Sequence, residues 1–421
     1  WAEFRSKLYN VYGGPAAVET GWVSNTQFEP HVAASIFKDM VAGEKALTVF
    51  YQYSFEGLDK KSNKITLVRF RNRLTGERLT VQPKTVIDAT ELGDVLKAAG
   101  VPYDLGMEAD ALSSEKVGIR QTNNIVQDLT YVAILKDYGP GADQTIPKPA
   151  NYNPAEFDGA CTDYYIDKTR NAPKVDAKKM LEYGKLPHNK YMLNWPLYGN
   201  DTYLNIVEIT EAQRERELQK AKQTTLRFIY FIQQQLGFKN LGLADDEFPT
   251  PDRLALIPYH REGRRVKGLV RFSMRHIAEP FTYGDPLYRT GISVGDYPID
   301  HHHKKNLAAP QHLEFYPISS YNIPLGALIP QNFTNLIIAE KSISVSNVAN
   351  GTTRLQPVVL LTGQAAGTLA ALSSIKDVRP EQVSVRSVQE ALLKAKAYIM
   401  PYIDVTPEDP FFLAIQKIGA T

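Results

Sequence analysis

The stretch Val86–Asp94, VIDATELGD, reads as a strand that stops abruptly and turns into a helix. Val86 and Ile87 run into a small residue, Ala89, then a hydroxyl, Thr90, and two acids, Glu91 and Asp94. A second stretch, residues 335–367, NLIIAEKSISVSNVANGTTRLQPVVLLTGQAAG, repeats the plan: a short apolar strand, a loop of Ser, Asn and Gly, then a helix. In an α/β sheet such strands deliver their loops to one carboxyl edge, where ligands bind. Gly351, Gly363 and Gly367, with Ala365 and Ala366, leave little side chain on the second loop and on one helix face. That surface admits a planar or phosphorylated ligand to the backbone, and equally admits a closely packed neighbour.

The rest of the chain is read outward from these two segments. EFRSKLYNVYGGP predicts a helix ending in a Gly-Pro loop, and FEPHVAASIFKDMVAGE a helix starting at Pro30. Residues 46–90 read as successive strands broken at DKKSNK and at Thr75-Gly76, a small antiparallel insertion that returns to a main sheet at VIDAT. ELGDVLKAAG predicts a short helix closed by Gly100. From about residue 100 to 325 aromatics, prolines and asparagines are frequent; a long helix near 207–236 and a strand at KGLVRFS stand out. A helix near 354–373 and a last one near 385–399 follow.

At 421 residues, the chain is long enough for two or three domains. A net charge of +2 gives no field that would gather nucleic acid or anionic lipid. The single cysteine, Cys161, excludes an intrachain disulfide and a cysteine-built metal site, so redox chemistry requires a bound cofactor. Leu355–Ile375 is uncharged and about as long as a membrane span. Its Gln356, Pro357, Gln364, glycines and hydroxyls point instead to a helix inside a protein, and no membrane span is expected.

Several residues invite chemistry. His301, His302 and His303 follow Asp300. Adjacent side chains diverge, so three neighbouring histidines do not converge on one ion, and no metal is expected. One of them could act as general acid or base, against the plainer reading of a solvated polar loop. Arg261, Arg264 and Arg265 suit a substrate carboxylate or cofactor phosphate, or else salt bridges on a surface turn. Arg354, at the start of an apolar helix, is costly unless paired, which predicts a partner in the ligand site. Glu91 and Asp94 fit an acid–base pair less well than the first turn of a helix, where free amides favour carboxylates.

VIDATELGD, LKAAGVPYDLG, REGRRV, VGDYPIDHHH and the long block from Asn335 to Leu372 resemble, in order, a family of FAD-dependent oxidoreductases, some members of which carry the name xanthan lyase. The resemblance implies an α/β fold: an FAD-binding Rossmann-like sheet of the glutathione-reductase kind, with an inserted α+β substrate or cap domain. It implies that Ala89 and Thr90, with Glu91 close by, pass the adenosine half of FAD, and that Glu340 and Lys341 lie near the ribityl chain. Many members have glycine where this chain has Glu340. Gly363, Gln364 and Ala365 would open a helix facing the pyrimidine edge of the flavin, with Gly351 and Thr352 in the loop before it. The histidine loop, Arg265 and Arg354 would stand at the reactive face. The implied division is 1–100 and 325–378 for FAD, 101–324 for substrate, and 379–421 for a terminal helix and tail. The family's G-x-G-x-x-G turn is missing, since Gly139-Pro140-Gly141 has the wrong spacing, so a βαβ unit is expected before Trp1. The resemblance also points to a bacterial protein of the periplasm or exterior. The substrate is expected to be small and organic, with a sugar suggested by the aromatic-rich middle segment. The alternative is a carbohydrate lyase or binding protein on a flavoprotein-like scaffold, without redox activity.

Overall fold

The computed structural model describes residues 1–20, 26–282 and 284–421. In chain order its main elements are α1 (Ala2–Tyr12), α2 (Pro30–Ala42), β1 (Tyr53–Lys61), β2 (Lys64–Asn72), β3 (Arg78–Val81), β4 (Val86–Asp88) and α3 (Asp94–Ala99). Then come β5 (Ala133–Asp137), β6 (Lys190–Leu193), α4 (Glu211–Gln234), β7 (Leu241–Leu243), β8 (Leu336–Ile338), α5 (Asn347–Thr353), α6 (Gln356–Lys376) and α7 (Val385–Lys394). Helix ends follow the sequence signals. Gly13 and Gly100 close α1 and α3 in the left-handed conformation, at φ 87° and 71°. Thr210 and Gln213 form a capping box, so α4 starts at Glu211, four residues after the expected Val207.

The chain forms two compact units, residues 1–48 with 128–260, and 49–127 with 261–421. The sequence reading had instead grouped 1–100 with 325–378. In the first unit β7, β5 and β6 form an antiparallel sheet, extended by the short strand Lys185–Leu186. Helix α4 supplies Phe228, Phe231 and Ile232 to the core of this unit. Helices α1 and α2 meet through Phe4, Leu8, Ala33 and Ile36.

In the second unit β1, β2 and β3 make the antiparallel meander that the turn signals predict. The chain then enters β4, which pairs in parallel with β8, Leu336 opposite Val86 and Ile338 opposite Asp88. So the two segments that opened the sequence analysis lie side by side although 250 residues separate Val86 from Leu336. Asn335 fixes the arrangement: its side chain accepts from the Ile65 amide and donates to the Ile65 carbonyl, both at 2.9 Å, tying the meander to β8. Helix α6 lies against the same pair, with the Thr85 and Ser374 hydroxyls 3.4 Å apart. It is long and apolar enough to cross a membrane by length and composition, yet it buries Val358, Val359, Thr362, Ala365, Ala366 and Leu369 in this unit's core. KGLVRFS is not a strand: Gly268 and Phe272 make only isolated bridges, to Pro330 and Val345.

Candidate functional site

At the carboxyl end of β4 the chain turns on Asp88, which is buried. One carboxylate oxygen accepts from the Thr90 amide (3.0 Å) and hydroxyl (2.7 Å), the other from the Leu96 amide (2.7 Å). Thr90 in turn accepts from the Asp94 amide at 2.8 Å. Together they satisfy the first free amides of α3. Burial raises the Asp88 pKa, and these bonds oppose the rise. The sequence reading gave the capping role to Glu91 and Asp94. The structure gives it to Asp88 and Thr90, and the signal was an acid inside an apolar strand. Ala89 is exposed at this edge and Thr90 half-buried.

Glu91 points across to β8. Lys341, only 2% exposed, donates to Glu91 at 2.8 Å and to Glu340 at 2.6 Å. Burial works against the ammonium, but the two carboxylates outweigh it and raise the Lys341 pKa. Its charge is therefore already matched by protein. Glu340 has a φ of +58°, a left-handed conformation that glycine adopts without strain and a side-chain-bearing residue does not.

The arginine run is not a surface turn. Arg261, Arg264 and Arg265 are all buried. Arg264 donates to the Leu92 carbonyl (2.8 Å) and to Asp94 (2.9 Å), locking α3. Arg265 is 0% exposed and uses all three guanidinium nitrogens. It pairs with Glu262 and with Glu108 (2.5 Å) and donates to the carbonyls of Gly106 (2.6 Å) and Val345 (3.2 Å). A guanidinium so engaged holds loops together rather than gripping a substrate carboxylate. Glu108, also paired with Arg271 and bonded by the Asn347 amide at 2.9 Å, is driven down in pKa by the two arginines against its burial. Glu262 is raised by burial, which exceeds the pull of Arg265. Glu108, Glu115 and Glu262 escaped the sequence reading, since nothing in their neighbours marks them as buried.

From this ionic centre the network continues to the histidines. The Asn347 side chain donates to Glu262 at 2.9 Å and meets His301 Nε2 at 2.8 Å. His301 Nδ1 lies 3.1 Å from His303 Nδ1. The His302 amide donates to Gln127 at 3.1 Å, and its ring Nε2 lies 3.2 Å from Asp300. Arg354, expected to have a partner, has one in Asp300, which accepts through its carbonyl (2.9 Å) and its carboxylate (3.0 Å). Burial would raise the Asp300 pKa, but His302 and the Arg354 and Arg261 charges lower it well below the usual carboxylate range. His301 is pushed well below its ordinary value and His303 below its own, chiefly by burial. So the three histidines are a packed constellation, not a solvated loop, and His301 and His303 do meet.

The remaining expected residues divide in two. Gly351 and Thr352 are buried inside α5. A methyl group at Gly351 would sit 3.0 Å from the Asp300 carbonyl, so this glycine lets the histidine loop pack. Thr352 donates to the Tyr297 carbonyl at 2.7 Å and lies 2.9 Å from the Tyr321 hydroxyl. Gly363, Gln364 and Ala365 do not open a helix: α6 starts at Gln356, where Pro357 favours a first turn, and they lie two turns inside. Ala365 faces the core, while Gly363 and Gln364 are exposed. Methyl groups at Gly363 or Gly367 would meet nothing within 4 Å, which leaves an open, flat stripe on α6.

The sequence matches the family of FAD dependent oxidoreductases over residues 1–392, and the chain belongs to that family. No curated protein matches it in sequence. It is an FAD-dependent oxidoreductase, and FAD is its cofactor.

Whether these residues suit FAD is tested by what they leave unsatisfied. Among the buried polar atoms of the second unit, Ser342 Oγ, just beyond Lys341, and His303 Nε2 have no hydrogen-bond partner. Unpartnered groups of this kind are rare and costly, and a bound polar group satisfies them. With the open stripe on α6 and the exposed Ala89, they fit the flavin and ribose parts of FAD. No glycine-rich phosphate turn stands among the described residues.

Proposed function

We propose that the chain oxidises a small organic substrate bearing a hydroxyl or amine, with a sugar-like molecule the favoured class, and that FAD sits at the common edge of β4 and β8 in a glutathione-reductase-like arrangement. The observation that carries the proposal is the parallel pairing of β4 with β8, which brings Ala89-Thr90-Glu91 and Glu340-Lys341 to one edge. In this reading Ala89 and Thr90 border the adenosine half, Glu340, Lys341 and Ser342 the ribityl chain, and Gly363 and Gln364 a flat face of the ring system. Bound FAD supplies the hydride acceptor. The protein's part is to hold Ala89 flush, to keep Lys341 neutralised by its two acids, and to present the histidine loop as the proton-handling group. Gly351 and Thr352 serve by fixing that loop. The unit 49–127 with 261–421 is assigned to FAD, and the unit 1–48 with 128–260, rich in aromatic residues, to substrate.

The test is spectroscopic. The full-length gene product, purified without added chelator or detergent, is expected to show the two visible absorption bands of oxidised flavin. Those bands should bleach anaerobically with a sugar or polyol from a screening panel. A protein that stays colourless and takes up no added FAD would overturn this reading. It would favour a carbohydrate lyase or binding protein on the same scaffold.

A further inference from the structure

The two meeting histidines share one geometric puzzle: both nitrogens in the 3.1 Å contact are Nδ1 atoms, so one must carry a proton and the other must not. The hydrogen-bond chain decides which. Glu262 is flanked by the Gln127 amide and the Asn347 side chain, both on the same carboxylate oxygen, at 3.0 and 2.9 Å. An amide facing a carboxylate turns its NH2 toward it, so the Asn347 oxygen faces His301. His301 Nε2, 2.8 Å from that oxygen, must therefore be the protonated nitrogen. Burial keeps His301 neutral, so its Nδ1 is a bare lone pair. His303 Nδ1 then donates to it. With Nδ1 donating in that contact and burial disfavouring a charged ring, its own Nε2 carries no proton.

That nitrogen is the one with no hydrogen-bond partner, on a ring only 3% exposed. A buried bare acceptor is costly relative to a satisfied one. Lys304 and His302 disfavour a positive charge there, and the carbonyls of His301 and Pro310 favour one.

We propose that His303 is the proton acceptor of this site. In the proposal Glu262, Asn347 and His301 are positioning residues that fix its tautomer through a relay of four side chains. The ligand it takes presents an O–H or N–H. On transfer that bond breaks, its electron pair stays on the ligand oxygen or nitrogen, and a new N–H forms at Nε2. The resulting imidazolium then releases its proton to water. This rests on the oxidoreductase reading only for what the proton transfer is coupled to; the relay itself does not need it. It also chooses among three histidines that the sequence left equivalent.

The experiment is two-bond 1H–15N correlation NMR on the full-length, flavin-loaded protein labelled at histidine, at pH 7. The eight histidines are few enough to assign His301 and His303 by substituting each with Gln. The expected result is opposite tautomers, proton on Nε2 in His301 and on Nδ1 in His303. Asn347→Leu removes the acceptor for His301 and should reverse or mix both tautomers, with the melting temperature showing that the fold persists. If that variant does not fold, Glu262→Gln replaces it: an amide at 262 no longer dictates the Asn347 orientation, and tautomer mixing is expected. A proton on His303 Nε2, two like tautomers, or an imidazolium at pH 7 would overturn the relay. So would tautomers that ignore both variants. The relay and the flavin reading fail separately. Opposite tautomers in a protein that takes up no FAD would keep the first and sink the second. A yellow protein with the proton on His303 Nε2 would do the reverse.

Discussion

In each unit of the molecule a long cation is buried among carboxylates, Lys190 in the first and Arg265 in the second, and the two centres differ in what they do with the arrangement. In the first unit Lys190 donates to Glu29 and Glu247, both at 2.6 Å, and to Asp246 at 2.9 Å. The second oxygen of Glu29 meets His188 at 2.8 Å and the Tyr12 hydroxyl at 3.0 Å; that of Glu247 meets His31 at 3.1 Å. Both of those histidines reach solvent, and the centre lines an open cavity of about 390 Å3. In the second unit the rim is narrower, formed by the partly exposed Arg271 on Glu108, and Arg265 is 0% exposed. Its carboxylate Glu262 passes its orientation on through Asn347 to His301 and His303. A point-like ammonium gathers acids and closes the account locally. A planar fork fixes its acids in direction, and direction can be transmitted.

The sharpest way to break this comparison is to remove each cation. Arg265→Met leaves Glu108 and Glu262 buried without their main counter-charge, and a loss of about 3–5 kcal/mol is expected. Lys190→Met leaves Glu29 and Glu247 with Tyr12, His188 and His31 as remaining donors and water at the rim. The expected loss is about 1–3 kcal/mol. Urea unfolding of both variants measures the difference. Equal losses would show that exposure of the rim does not matter and that the two centres are energetically alike.

The contrast also marks how far the sequence could be read. The meeting of β4 with β8 was legible, because the plan of strand, loop and helix recurs in both segments. The buried ionic centres were not. Glu108 follows Met107 in an irregular segment, Glu262 stands between two arginines, and Lys190 follows a turn with Asn189 at φ +56°. Local composition makes all three look solvated. Much of their burial comes from distant partners, 85 residues from Glu262 to Asn347, 161 from Lys190 to Glu29 and 239 from Glu108 to Asn347. The helix containing Gly363 was legible, its expected start near 354 lying two residues from the observed Gln356; it was the family resemblance that put a helix opening at Gly363, two turns inside the helix that Pro357 starts.

A smaller effect separates the centres by pH. His301 and His303 have folded-state values below the ordinary 6.5, so neutral rings are the folded form. Their contribution is complete above pH 6.5 and is lost as pH falls below it toward the lowered folded values, because the unfolded chain takes up protons first. Glu262 works in the opposite sense: raised by burial, it is relieved when protonated. The melting temperature of the wild type should therefore fall between pH 7 and pH 5 by more than that of His301→Gln. Parallel curves would mean that His301 is not held neutral.

The smallest effect concerns the third ionic group, Lys341 with Glu91 and Glu340, where one acid stands on a strained backbone. At φ +58° a side-chain-bearing residue gives up roughly 1–2 kcal/mol. Glu340→Gly removes that strain but adds about 0.5–1 kcal/mol of unfolded-chain freedom and takes one partner from Lys341. These terms nearly cancel, so stability should change by less than about 1 kcal/mol. Glu340→Ala keeps the strain and loses the same partner, so it should be the less stable of the two by about 1 kcal/mol. The order of these variants separates backbone from charge: glycine above alanine means that conformation governs this position. Equal destabilisation would mean that the Lys341 ion pair alone explains why an acid is tolerated where the backbone asks for glycine.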